Sequence, residues 1–317
     1  MKFSSLSNTF LLSPEVARET ALGFLAGVHP EGQPAKWQEE MFTAHYGSSS
    51  LVITNQWFDL CHTDIEEAKL TAKEKTAEGF KRFMMAHFFM WQYPKNARTF
   101  GSRFGVCERL SRGDPVFHWV NKIAALHEKL IVWKKNLDST LTQTLVISID
   151  GVDCRTWEKS NERYNMDTQE CSHKFNHGAV KYEVAMSLLE PQCAWISGPH
   201  KGGKHDLTIF REGGLKQKLK RWKQAIVDRG YTTSEEDEKY ILCIPRETDS
   251  VTLNEYKGRA RLRHESFNGR LKKYMILDAT YRHDQKHHGN VFRAVAVTVQ
   301  YQMNNGAPIF EAPMQRE

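Results

Sequence analysis

No apolar run in the 317 residues approaches the ~18 needed to cross a bilayer as a helix, so no membrane span is expected. Cysteine is sparse. The six residues include no Cys-x-x-Cys pair, which is not a disulfide framework and points to a reducing compartment. The start, MKFSSLSNTFLLSPEVARET, lacks a basic segment followed by a long apolar stretch, and no secretory signal is expected. A GxxxxGK[ST] run is absent, which excludes a phosphate-loop ATPase. GxSxG is absent too, which removes the serine-elbow hydrolases. There is no internal repeat and no low-complexity tract. What remains is globular composition, 40% hydrophobic and 26% charged, in a length that holds one large domain or two ordinary ones.

The formal net charge of +6 is unevenly distributed. Residues 81–140, 201–230 and 257–293 carry +7, +6 and +7, while residues 1–80 and 231–256 carry −5 each. Three basic blocks in an otherwise acidic chain suit a polyanion such as DNA, provided that folding brings them to one surface. If it scatters them, they are ordinary solvated charge.

Residues 1–62 mix apolar positions with Gly, Pro and Ser (HPEGQP, YGSSS) and read as a loosely structured segment. A helical pattern follows from Thr63, read as an N-cap, to Tyr93-Pro94. Residues 95–140 read as further helices, with Asp114-Pro115 opening one of them. The short helix, the Gly105-Val106 turn and the next segment resemble a helix-turn-helix, so 63–140 is expected to be a helical unit that either reads DNA or only packs. After Thr140 the period changes. TLVISIDG (144–151), VKYEVAMSLL (180–189), QCAWISG (192–198), QAIVDRGY (224–231) and YILCIPR (240–246) read as strands. Residues 205–223, broken at Gly213-Gly214, and the basic stretch 254–275 read as helices, and 292–303 leans the same way. Residues 141–317 thus form a mixed α/β domain.

Three acids stand out by position. Asp150 and Asp228 each end a strand, and Glu265 lies in a helix among Arg259, Arg261, Arg263, Arg270, Lys272 and Lys273. Open α/β sheets carry functional groups at the carboxyl ends of their strands. Two carboxylates there, met by one from a helix, could hold a pair of divalent cations for phosphoryl transfer, and Mg²⁺ suits an oxygen-only set. Each acid alone has a plainer reading: a turn residue before glycine, or a solvated ion-pair partner. Asp153 is the weaker ligand, because an odd separation from Asp150 puts it on the other face of the strand. Asp206 reads as N-cap of a 207–221 helix, with an accessory role at the site as the alternative. Cys171, His173 and His177 make half a zinc site without a convincing second half. Trp157 and Trp195 read as core aromatics first and as base-stacking groups second.

In combination and order, SIDGVD (148–153), KFNHGAVKYEVAMSL (174–188), SGPHKGGKHDLTIFRE (197–212), IVDRGY (226–231) and RLRHESFNGRLKKY (261–274) resemble the DDE transposase superfamily, and more closely its Harbinger-type transposase and nuclease family. The resemblance covers about residues 144–300. It implies an RNase H-like fold, a metal-holding catalytic triad of Asp150, Asp228 and Glu265, two Mg²⁺ or Mn²⁺ ions, and cleavage and joining of DNA strands. It also implies transposon ends and target DNA as partners, a homodimer to hold two ends, and a nuclear location in a eukaryote or a cytoplasmic one otherwise. The run KQKLKRWK (216–223) fits a nuclear signal as well as a DNA-binding face. Lys201, Lys204, Arg261, Arg270 and Lys272 are the expected phosphate contacts. The chain departs from the family in Asp150-Gly151-Val152-Asp153-Cys154, where the usual pattern after the first acid is Gly-Thr-His, and its N-terminal part matches only loosely. Three functions remain distinct: an active transposase or endonuclease, a nuclease of the same fold without transposition, and a domesticated DNA- or partner-binding relative that does not cut.

Overall fold

Proline, glycine and serine in the first 62 residues mark helix ends rather than loose chain. In the computed structural model, which describes residues 12–311 apart from 112, 143, 158–169, 173, 175–176 and 245, this stretch holds α1 (Pro14–Gly23), α2 (Ala35–Tyr46) and α3 (Ser50–His62). Ser13 caps α1 ahead of Pro14, Pro34 precedes α2, Gly47 closes α2 in the left-handed region at φ 76°, and Ser49 caps α3. The expectation of a loose segment is thereby corrected: its turn residues are caps. Thr63 is likewise the C-terminal boundary of α3, not a start. The next long helix, α4 (Ala77–Gln92), opens at Thr76.

The chain divides into two compact units. The first contains residues 1–130, 273–276 and 286–306. After α4 come α5 (Ala97–Arg103), α6 (Glu108–Ser111), α7 (Asp114–Ala125) and α8 (His127–Leu130). Its core is aromatic: Trp57 lies 5.2 Å from Phe80, 5.4 Å from Phe83 and 6.1 Å from Trp119 between ring centroids. The α5–α7 stretch has the order of a helix-turn-helix, but α7 buries Val116, Phe117, Trp119, Val120, Ile123 and Ala124. His118, exposed on α7, is bonded to Glu74. α7 is thus packed on most of its sides.

The second unit contains residues 131–272, 277–285 and 307–317. Its strands are β1 (Leu145–Arg155), β2 (Cys171–Ser172), β3 (His177–Ser187), β4 (Cys193–Lys201), β5 (Gln224–Ile226) and β6 (Leu242–Cys243). They form one mixed sheet in the order β2-β3-β1-β5-β6, with β4 also on β3. β3 pairs antiparallel with β1, β2 and β4, whereas β5 runs parallel to β1 and β6 parallel to β5. Helices α9 (Asp206–Glu212), α10 (Leu215–Lys218), α11 (Glu236–Ile241), α12 (Val251–Lys272) and α13 (Met275–Asp278) follow the first strands, and α14 (His288–Asn304) closes the series within the first unit.

Strand alternation sorts the side chains of β1. Ile147 and Ile149 pack with Phe210, Leu215 and Leu219 from the α9–α10 side, while Leu145 and Ile226 meet Tyr256 and Ala260 of α12. The result is an α/β, RNase H-like architecture with helices on both faces of the sheet. Among the described residues no helix is long and apolar enough to cross a membrane.

Candidate active site

β1 carries the first acid at its centre. Asp150 Oδ1 accepts the Gly151 N–H at 2.8 Å, and Oδ2 accepts Asn268 Nδ2 of α12 at 2.9 Å. Two residues earlier, Ser148 Oγ meets His264 Nδ1 at 2.9 Å, so one stripe of α12 lies along this face of the strand. Burial raises the Asp150 carboxyl to about 6; the Gly151 N–H opposes this, the charges of Asp228 and Asp206 raise it further, and Lys174 lowers it.

β5 runs parallel to β1, which brings its end beside that strand. Asp228 lies just beyond it, and its Oδ1 accepts the Gly230 N–H at 2.8 Å, capping a short 3₁₀ turn over Arg229–Tyr231. The third carboxylate in this neighbourhood is Asp206. A Cβ on Gly151 would lie 2.9 Å from Asp206 Oδ1, and a Cβ on Gly230 would lie 3.0 Å from Asp228 Oδ1 and 3.3 Å from Asp206 Oδ2. These two glycines leave the space into which the carboxylates are drawn. The N-cap of α9 is His205, with no side-chain cap bond, so the cap reading of Asp206 is corrected. Its Oδ1 accepts Lys181 Nζ at 3.0 Å instead.

Glu265 is exposed and has no hydrogen bond or ion pair to any described residue. The buried line of α12 runs through Tyr256, Ala260, His264, Phe267 and Leu271. At 100° per residue Glu265 falls on the outer flank of that line, and Asn268, one turn on, takes the place beside Asp150. Asp150 and Asp228 are thus neighbours and Glu265 does not join them. Among the described residues no three His, Cys, Asp or Glu side chains close on a single point. The donors present still fit a hard divalent cation: they are carboxylate oxygens, and at Asp150 the charges of Asp228 and Asp206 add to the effect of burial.

Residues 149–300 match the model of a family described as DDE superfamily endonuclease. This segment is similar to the DDE superfamily endonucleases. No curated protein and no solved structure matches the chain. The matched span opens one residue before Asp150 and includes Asp206, Asp228 and Glu265.

The basic residues expected on DNA have diverse surroundings. Lys272 Nζ reaches the carbonyls of Asp153 (2.5 Å) and Leu277 (2.8 Å), and Arg270 reaches those of Ala307 and Pro308, so both tie the chain to itself. Lys201 pairs with Glu170 at 3.3 Å and Lys204 with Glu212 at 2.6 Å near the surface, and Arg261 is exposed. Asp153 faces away from Asp150, as alternation requires, and accepts Ser172 Oγ at 2.5 Å. Cys171 is buried, His177 is exposed, and His173 lies outside the described residues. Trp157 is 64% exposed, not a core residue, and Trp195 is half-buried.

Sequence reasoning passed over Asn268, Lys181 and Glu183. An asparagine inside a 22-residue helix is a poor helix former and was a visible signal. So was Glu183, a charged residue in the apolar strand VKYEVAMSLL.

Proposed function

We propose that the protein is a divalent-cation-dependent DNA endonuclease of transposase type, of the Harbinger kind, which cuts and joins DNA strands. One observation supports this most: within the segment that matches the DDE endonuclease family, Asp150 on β1 and Asp228 just beyond the parallel strand β5 are neighbours with their charges adding. Mg²⁺ or Mn²⁺ held by this pair, in one ion or two, would neutralise phosphate charge and acidify a water for attack on the phosphodiester. Asn268 fixes the orientation of Asp150 through its amide. Glu265 is the third carboxylate of this reading, supported by its place one turn from Asn268 on the open flank of α12. Lys201, Lys204 and Arg261 supply phosphate contacts that set the register of the duplex. Transposon ends and target DNA as substrates, a homodimer holding two ends, and work in the nucleus belong to the same proposal.

The exposure of Glu265 favours one competing reading, a domesticated relative that binds DNA without cutting it. Supercoiled plasmid with the full chain, in Mg²⁺, Mn²⁺ or chelator, separates the two. Cation-dependent nicking that disappears in Asp150→Asn is the expected result. Salt-sensitive binding without nicking in either metal would sink the nuclease reading and leave the binder. Joined products with end-bearing substrates would distinguish transposition from simple hydrolysis.

A further inference from the structure

The side of the sheet that faces α9 holds more negative charge than it has partners for. Glu183 lies opposite Gly151 in the β1–β3 register and is 1% exposed, and neither of its oxygens has a hydrogen-bond partner. The indole N–H of Trp195 faces it without closing a bond of ordinary geometry. Tyr231, also 1% exposed, brings an unpartnered hydroxyl under the combined field of Glu183, Asp206, Asp150 and Asp228. Asp206 stands between this buried pair and Asp228. Lys181 satisfies its Oδ1, and the same ammonium lies 3.9 Å from Asp153, so one cation serves two acids. Asp206 Oδ2 accepts nothing from a described residue and meets Asp228 over Gly230.

We infer that Asp206 is a further cation-holding carboxylate of the nuclease centre, forming with Asp228 a second place for a divalent ion beside that of Asp150 and Asp228. The inference rests on the nuclease reading above. Its physical ground is that two carboxylates are drawn together across a residue with no side chain, with an unpartnered buried acid and phenol behind them, while Lys181 is the one lysine that bonds to Asp206. A buried, crowded set of this kind is costly without a counter-ion. Lys181 is then a positioning residue: it turns Asp206 so that Oδ1 faces the protein and Oδ2 faces Asp228.

The test is Mn²⁺ titration of the full chain, with free Mn²⁺ counted by electron paramagnetic resonance and melting followed by circular dichroism. Wild type should bind Mn²⁺, and Asp150→Asn and Asp228→Asn should both weaken it. Asp206→Asn should lose one ion or bind it at least tenfold more weakly, while melting and salt-dependent DNA binding stay close to wild type. Lys181→Met should keep the ion of Asp150 and Asp228 and weaken that of Asp206 severalfold, because Asp206 loses the contact that orients it. An Asp206→Asn protein that binds Mn²⁺ like wild type would overturn the inference while the effects of Asp150→Asn and Asp228→Asn keep the nuclease reading intact. Equal losses of stability in Asp206→Asn and Lys181→Met, with Mn²⁺ binding unchanged in both, would also overturn it and make the two an ion pair only. Wild type that takes up no Mn²⁺ would remove both the inference and the nuclease reading.

Discussion

The two units treat buried polar groups differently. In the helical unit Gln56 Nε2 reaches Thr298 Oγ1, Ser48, Tyr274 and Gln302 bond to one another, the Tyr46 hydroxyl reaches the Ala21 carbonyl, and Lys122 Nζ reaches the Lys69 carbonyl at 2.7 Å. Gln56 Oε1 has no partner, and His87, enclosed beside Phe83 with neither ring nitrogen bonded, is pushed down to about 3 by burial and stays neutral. In the α/β unit unpartnered atoms are more numerous, and several of them, on Glu183, Tyr231, Trp195 Nε1 and Asn268 Oδ1, belong to residues around the acids, with others on Asn136, Asp153 and Arg263. An unmade buried hydrogen bond costs roughly 1–3 kcal/mol, so a cluster of them is a structural burden. The helical unit is built for packing, whereas the α/β unit tolerates unsatisfied groups where its acids meet. Sites that break local rules are where function is expected.

The sharpest break in this comparison comes from the acids. Asp150→Asn or Asp228→Asn should lower Mg²⁺-dependent cleavage by about a thousandfold, several kcal/mol of transition-state charge stabilisation. Melting should stay level or rise, because a repelling charge is removed at a crowded place. The double variant should add little to either single, since the two act as a unit. Glu265→Gln is expected to lower cleavage by less, about tenfold, and as an exposed residue it should change stability by no more than about 1 kcal/mol. Nicking at matched DNA occupancy measures all four, and wild-type rates in Glu265→Gln would remove it from the centre.

The helical unit should show the reverse signature. Trp57 is 1% exposed and touches three other aromatic rings, so Trp57→Ala should cost about 3–5 kcal/mol. Urea unfolding followed by circular dichroism measures the loss. A loss below about 1 kcal/mol would mean that this core is looser than its geometry shows.

Glu238 gives a smaller effect within the α/β unit, where a carboxylate is fully paired. Arg211 donates through Nε at 2.8 Å and Nη2 at 2.7 Å, Lys216 Nζ at 2.6 Å and Thr233 Oγ1 at 2.7 Å. The Arg211 bonds, opposed by desolvation and joined by those of Lys216 and Thr233, hold the carboxyl down to about 2. Its stabilisation is therefore present above the ordinary carboxylate range and is lost as pH falls towards 2. Arg211 and Lys216 are partly exposed, so Glu238→Gln should cost only about 1–2 kcal/mol at neutral pH. The difference from wild type should narrow below pH 4 in thermal melts, and a gap constant down to pH 2 would contradict the assigned partners.

Much of the sheet was legible because β-branched runs such as TLVISIDG have few other outcomes, but Asp150, read as ending a strand, lies at the centre of β1, which continues through Gly151 to Arg155. The N-terminal helices were not, because Pro34, Gly47 and Ser49 signal interruption equally well whether they divide loops or cap helices. YILCIPR shortens to a two-residue β6 after α11, since local propensity does not decide where a helix yields to an edge strand. The net charge of 257–293 overstated what can face DNA: Lys257 and Arg263 are buried, and Arg270 and Lys272 hold carbonyls. Asp206 was read locally, as a cap, because its real neighbours, Gly151 and Gly230, are distant in sequence and carry no side chains to announce them.

The smallest expected effect tests the α/β side of the comparison most directly. Burial pushes Glu183 up from an ordinary value near 4.5 to about 8, the charge of Asp206 adding to this and the Trp195 N–H opposing it. A carboxyl raised in the folded state is protonated there while the unfolded chain has already released its proton. Its contribution to stability is thus intact below pH 4.5, falls as pH rises, and is fully lost above about pH 8. In metal-free buffer, melting should decline across that window. Glu183→Gln keeps the shape of the neutral acid without its proton equilibrium, so the variant should match wild type near pH 4.5, exceed it by a few degrees at pH 8, and flatten the profile between. Melting curves in chelator at half-unit steps of pH measure it. Parallel profiles for the two proteins would mean that Glu183 is ionised in the fold and paired after all, and the contrast between the closed helical core and the open sheet end would lose its strongest member.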